Sequence, residues 1–136
     1  MLTTIDRIAE RNAGILLLIG RIAMALLFTL DLYGKLMNIN GWMGARNLSA
    51  LPLPWAWALG GLVLLLVGDV GVILGYKARL GALALAIFCL GAAILGHPFW
   101  ADPAQQTQFL KDLALTGGFL VLFVHGPGPY SIDARR

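Results

Sequence analysis

The sequence predicts an all-α integral membrane protein, an antiparallel four-helix bundle with one long loop between the first and second spanning helices. Three observations carry this. The 136 residues are 59% hydrophobic and only 12% charged, with a mean hydropathy of +0.80. A water-soluble domain of ordinary composition is about a quarter charged. The charges are also absent in long blocks: residues 47–68 (22 residues), 80–101 (22) and 113–132 (20) contain no Asp, Glu, Lys or Arg. A spanning helix needs about 20 mainly apolar residues to cross a ~30 Å hydrocarbon core. These features exclude a soluble globule, a disordered tail and a nucleic-acid binder. The net charge of +3 and pI near 9.4 come from basic residues at particular places rather than from a DNA-binding face. A chain of this length is read as one domain over 1–136.

The first span is the least obvious. Residues 12–20 and 22–30 are apolar runs joined through Arg21. Asp6 and Glu10 in the leader, Arg21 within the apolar region and the lack of a small-x-small site argue against a cleavable signal peptide. The four helices are expected at roughly 13–35, 54–75, 79–97 and 108–125. Residues 38–54 form the long loop, in which Trp42, Met43 and Leu48 can lie at the interface as a short amphipathic helix. Pro52 and Pro54 suit a helix start, where a missing N–H costs nothing. Gly75-Tyr76-Lys77-Ala78-Arg79 fits a tight turn between antiparallel neighbours. The polar stretch from His97-Pro98 to Gln108 ends the third helix, and Gly126-Pro127-Gly128-Pro129 ends the fourth.

With four spans, both termini share a side with the short second loop. That side holds Arg7, Arg11, Lys77, Arg79, Arg135 and Arg136, against Lys35, Arg46 and Lys111 on the other. The bias predicts both termini in the cytoplasm. Trp42, Trp55, Trp57 and Trp100 then fall at the outer interface as an aromatic belt, with ligand stacking by Trp100 the other reading. Seventeen glycines, with Gly71 and Gly75 as a small-xxx-small pair, are expected to let helix backbones approach. Cys89, midway along the third span, reads as inert packing. A single cysteine excludes an intramolecular disulfide and a paired-cysteine metal motif.

Ionisable residues inside spans carry most of the functional information, because they are costly there and face a partner or a cavity. Arg21 and Asp69 lie at similar counted depths on sequential helices and are expected to pair, either to lock the bundle or in a proton- or ligand-linked role. Asp31 and Lys35 are an i,i+4 pair, although Lys35 can equally snorkel to the headgroups. His97 and His125 end different helices on opposite sides, about a membrane thickness apart, and cannot share a metal. No metal site is expected, and no triad, P-loop or dinucleotide motif appears. Asp31, Lys35, His97, Trp100, Gln108 and Lys111 converge on the outer side as a candidate ligand site. Ordinary interfacial polarity is the plain alternative.

Beyond these readings, the order and spacing of several short motifs resemble the DoxX family of small four-helix bacterial membrane proteins, over about residues 15–133. They are Gly34-Lys35, Leu51-Pro52-Leu53-Pro54, Gly75-Tyr76-Lys77-Ala78-Arg79-Leu80, His97-Pro98-Phe99-Trp100, Phe109-Leu110-Lys111-Asp112-Leu113-Ala114 and Gly126-Pro127-Gly128. The resemblance implies an inner-membrane location. It also implies a link to redox systems, since relatives have been tied to a thiosulfate:quinone oxidoreductase and to a complex with a superoxide dismutase and a sulfurtransferase. This chain departs from the family pattern in having Leu65 where members commonly carry a glutamate, and Asp69, one turn deeper on the same face, where they carry a glycine. Asp31 stands where relatives often have a histidine or a small polar residue.

Two functional classes follow. One is an accessory or quinone-linked subunit of a redox, oxidative-stress or sulfur-metabolism system. It has no intrinsic cofactor, quinone is its implied ligand, and a membrane or soluble partner supplies the redox centres. The other is a non-enzymatic scaffold or small-molecule permeation protein. Whether the chain is itself an enzyme stays open between them.

Overall fold

The computed structural model describes residues 3–44, 51–96 and 99–135. The order is α1 (Thr4–Arg11), α2 (Ala13–Met37), α3 (Ile39–Met43), α4 (Pro54–Leu74), α5 (Ala78–Gly96) and α6 (Gln106–His125), with short 3-10 turns at Pro103–Gln105 and Asp133–Arg135. The helices α2, α4, α5 and α6 are long and apolar enough to cross a membrane. They are the four expected spans, with ends shifted by one or two residues. No strand occurs among the described residues. The bundle has a terminal end, which carries α1 and the C-terminal tail, and a far end, which carries α3.

Each span is predominantly apolar, with few charged residues. The buried positions nevertheless keep helical spacing. Arg21, Ala25, Phe28 and Leu32 form one stripe on α2, and Ala78, Ala82, Leu85, Cys89 and Ala93 another on α5. At mid-bundle Phe28 meets Phe119 and Phe88 edge-on, with ring centroids 5.5 and 6.2 Å apart. Leu65, Leu85 and Cys89 are fully buried around them, so the thiol packs as a small apolar group. Helices α4 and α5 approach closely through glycines. A Cβ on Gly68 would stand 2.6 Å from Leu85 Cγ, and one on Gly81 would stand 3.1 Å from the Gly68 carbonyl oxygen. Without a hydrophobic drive between helices in lipid, such close backbone packing supplies the attraction.

The helix ends follow from local chemistry. Pro54 occupies the first turn of α4, after Leu53 at φ 50°. Gly75 ends α4 at φ 69° and Gly126 ends α6 at φ 93°, conformations that only glycine adopts without strain. At the far end the Asn38 side chain caps α3, the short helix expected around Trp42 and Met43, by accepting from Gly41 N–H; Leu48 lies outside the described residues. Two elements were not anticipated. Helix α1 is amphipathic and begins with a reciprocal capping box between Thr3 and Asp6. The tail after Gly126 folds back beneath the bundle instead of simply leaving it. Its Ile132 and Asp133 N–H groups donate to the Leu74 and Gly75 carbonyls, at 3.2 and 2.9 Å. The Asp133 carboxylate accepts from the N–H groups of Lys77 (2.7 Å) and Ala78 (2.8 Å), capping the start of α5.

Candidate functional site

The far ends of α2, α5 and α6 diverge around a polar chamber of about 380 Å³. Helix α2 contributes Asp31 and Lys35 one turn apart. Helix α6 contributes Gln108, Lys111 and Asp112 from its first two turns, and α5 contributes Phe88, Ala92 and Gly96. Lys35 Nζ is 2.5 Å from Asp31 Oδ1, which settles the i,i+4 alternative in favour of the pair. Trp42 closes the side between α2 and α4. The Lys35 ammonium sits 4.5 Å from its ring centroid and 5.6 Å from that of Phe88, within cation–π range. The Trp42 indole N–H donates to the Ala58 carbonyl at 2.8 Å, fixing the ring to α4. Lys111 is exposed and has no ion-pair partner among the described residues. Helix α2 and helix α6 thus each bring one lysine and one aspartate to the chamber lining.

Four of the six outer-cluster residues thus come together: Asp31, Lys35, Gln108 and Lys111. Trp100 does not line the chamber. Its ring packs edge-on against Phe99 and Phe109, with centroids 5.4 and 5.8 Å away, and is 61% exposed. His97 lies outside the described residues. Sequence reasoning passed over Trp42, which it placed in the aromatic belt, and Asp112, which directly precedes the last charge-free block. A signal for Asp112 was present in the sequence, since it is an ionisable residue next to Lys111 at the edge of an apolar span.

The expected ion pair of Arg21 with Asp69 is not formed. Both residues are buried, but Arg21 Nη1 donates to the Pro127 carbonyl (2.8 Å) and Nη2 to those of Tyr130 (3.0 Å) and Ile73 (3.4 Å). Asp69 accepts instead from the Thr29 hydroxyl, at 2.9 and 3.1 Å from its two oxygens. The register explains the difference. Arg21 stands level with Ile73, while Asp69 lies one turn further toward the far end and turns to Thr29, two turns beyond Arg21. The folded-back tail brings carbonyl acceptors to the guanidinium, whose five donors suit several acceptors at once. His125 lies exposed at the terminal end, where the Arg79 guanidinium donates to its carbonyl at 3.2 Å. Among the described residues no three His, Cys, Asp or Glu side chains are grouped to hold a metal ion.

Four apolar spans enclosing a small polar chamber at one end define a helical-bundle membrane protein with a candidate ligand site between its helices. The chain belongs to the DoxX family, which it matches over residues 16–98. It is 36% identical over 121 residues to the inner membrane protein YqjF of Escherichia coli, covering 85% of this chain and 88% of that one. It is 31% identical over 126 residues to the inner membrane protein YphA of the same organism, covering 89% and 90%. A shorter likeness, 29% over 72 residues, links it to a Surfeit locus protein 4 homologue of Schizosaccharomyces pombe, covering 48% of this chain and 24% of that protein. No solved structure matches it.

Proposed function

We propose that this chain is a membrane subunit of a bacterial inner-membrane redox or sulfur-metabolism system, and that its far-end chamber binds the head of a quinone. The observation that carries the reading is the chamber itself. Its volume of about 380 Å³ falls in the range of small-molecule sites, and it combines apolar walls with a few convergent polar groups. The donor set fits the group. Lys111 and Gln108 are hydrogen-bond donors that suit carbonyl oxygens, and Lys35 is held in place by Asp31 and Trp42. Quinone, when bound, would supply two-electron, two-proton chemistry in the plane of the membrane. The chain's own residues would bind and orient the head and keep a cation near oxygens that gain charge on reduction. A partner protein would supply the electrons.

The permeation alternative has less support. Phe28, Phe88 and Phe119 pack against one another at the chamber's floor, and the tail crosses the opposite end. The basic residues favour both termini in the cytoplasm, which puts the chamber in the outer leaflet. Cysteines introduced at positions 2 and 134 should both label from the cytoplasmic side, and labelling from opposite faces would overturn this orientation. The central test is native mass spectrometry of the protein extracted with its lipids and partners. Wild type should retain quinone together with a redox subunit, and Lys111→Leu should lose the quinone. Wild type carrying neither would sink the proposal.

A further inference from the structure

Asp69 sits in the body of α4, 3% exposed, and lies outside both hollows of the far end. Those hollows are the polar chamber and an apolar groove of about 790 Å³ between α4 and α5, which meet at Trp42. Among the described residues, the carboxyl group's one hydrogen-bond partner is the Thr29 hydroxyl of α2, half-buried at the seam between the two helices. The backbone offers no other donor, because N–H groups in mid-helix are taken by the helix itself. No described cation is within ion-pair distance either. On α2, Arg21 turns its guanidinium to carbonyls of the tail and of α4, Lys35 pairs with Asp31, and Tyr33 is exposed. On α5 the titratable groups are Arg79, which donates to the His125 carbonyl, and Cys89, packed in the core with Phe28 and Phe119. On α6 they are Lys111 and Asp112 at the chamber and His125 at the terminal end, while Asp133 of the tail caps α5. Asp69 is the one titratable residue of α4 itself.

The geometry points to a proton-binding site between α2 and α4: Asp69 is an un-ionised carboxylic acid at neutral pH, closed into a hydrogen-bonded ring with Thr29. The Thr29 Oγ stands 2.9 Å from one carboxyl oxygen and 3.1 Å from the other. A hydroxyl has one hydrogen, so it gives an ionised carboxylate one bond to share between two oxygens. With the acid it makes two bonds, donating to the carbonyl oxygen and accepting from the acid O–H. The near-equal distances fit this second arrangement. The Ala25 carbonyl, 3.1 Å from the same hydroxyl, has its helical partner in the Thr29 N–H and does not need that hydrogen. Charge decides in the same direction. A carboxylate with a single neutral donor is costly inside an apolar bundle, and a group so placed takes up a proton instead. The ligand of this site is therefore a proton, and the site is separate from the chamber.

The test is infrared spectroscopy of the full chain in nanodiscs of ether-linked phospholipid, which has no ester carbonyl of its own. An un-ionised carboxyl has a C=O stretch well separated from the bands of a carboxylate. The spectrum of Asp69→Asn is subtracted from that of wild type at neutral pH, with circular dichroism to check that both are folded. The expected difference is one acid C=O band, with the intensity of a single carboxyl. In Thr29→Val the band should persist at higher frequency, because its hydrogen-bond partner has gone. Asp69→Ala is the second variant, should the first fail to fold. If wild type shows no acid band at neutral pH, Asp69 is ionised, with Arg21 as a distant counter-ion, and the inference falls. It falls as well if the wild-type acid band survives in the Asp69 variants, or if Thr29→Val leaves its frequency unchanged. None of these results bears on the chamber, whose own proposal is decided by quinone binding.

Discussion

Where α4 meets α5 at the terminal end of the bundle, glycines bring backbones together, whereas further along the same two helices, at the far end, Gly60, Gly91 and Gly96 leave room. Gly68, Gly71 and Gly81 have atoms of the neighbouring helix or turn within about a Cβ contact distance, while Gly60, Gly91 and Gly96 have none within 4 Å. Charge follows the same division. Arg21 at the terminal end donates to three backbone carbonyls. Lys111 at the far end has no ion pair among the described residues and faces a hollow. Along α4 and α5 one residue type therefore serves both close packing and open space. Composition alone does not distinguish them; the surroundings of each residue do.

The largest expected effect comes from filling both kinds of glycine site. Gly81→Leu forces a side chain against the α4 backbone and should cost about 3 kcal/mol or more. Gly91→Leu should change stability by less than about 0.5 kcal/mol. Unfolding followed by circular dichroism in detergent would show this, and equal losses at the two sites would erase the distinction between the halves. Next is Arg21→Leu, which orphans carbonyls of the tail and of α4 and should cost about 3 kcal/mol, given the strength of hydrogen bonds to a charged donor. Because Arg21 and Asp69 have separate partners, a double-mutant cycle with Asp69→Leu should give a coupling below about 0.5 kcal/mol. A coupling of several kcal/mol would restore the ion pair that the depth count suggested.

A smaller loss, about 1 kcal/mol, is expected for Asp133→Ala, which removes the cap on α5. Trypsin cleavage after Lys77 should become faster in that variant, and an unchanged rate would mean that the tail contributes nothing to this turn. The smallest effect concerns α1. The Thr3 backbone N–H, and then its hydroxyl, hold the Asp6 carboxyl below its ordinary value of 3.8. A depressed carboxylate stabilises the folded form above its unfolded value and ceases to do so as pH falls through the folded one. Amide exchange over residues 5–8, corrected for its intrinsic pH dependence, should therefore show α1 fraying only as pH drops below 3.8. Fraying that began well above that pH would place its cause elsewhere.

The spans were legible because a membrane imposes a length, and blocks of about 20 uncharged residues are rare in chains of ordinary soluble composition. The Asp31–Lys35 pair and the convergence of Gln108 and Lys111 were legible too, since helical spacing and antiparallel order put them on one side. The partners of Arg21 were not. Counting residues from a helix end gives depth to within a turn or so, and a one-turn error exchanges a carboxylate for a set of carbonyls. Those carbonyls belong to Pro127 and Tyr130, in a segment whose glycines and prolines read only as a helix stop. The contacts of Trp42 were not legible for a related reason. Its composition signal is that of an interfacial aromatic, and its position between two hollows depends on Gly61, nineteen residues further along the chain.

The order in which the chain is made gives the tail another consequence. Arg21 enters the bilayer with the first span, but two of its three acceptors follow the fourth and leave the ribosome after every span has been synthesised. Until then the guanidinium has only the Ile73 carbonyl among its final partners and must reach for headgroups or water. Insertion and completion are thus separate events. A nascent chain stalled before Pro127 would hold all four helices in the membrane yet expose an unsatisfied cation near one end, a mark by which quality-control proteases could tell an unfinished bundle from a finished one.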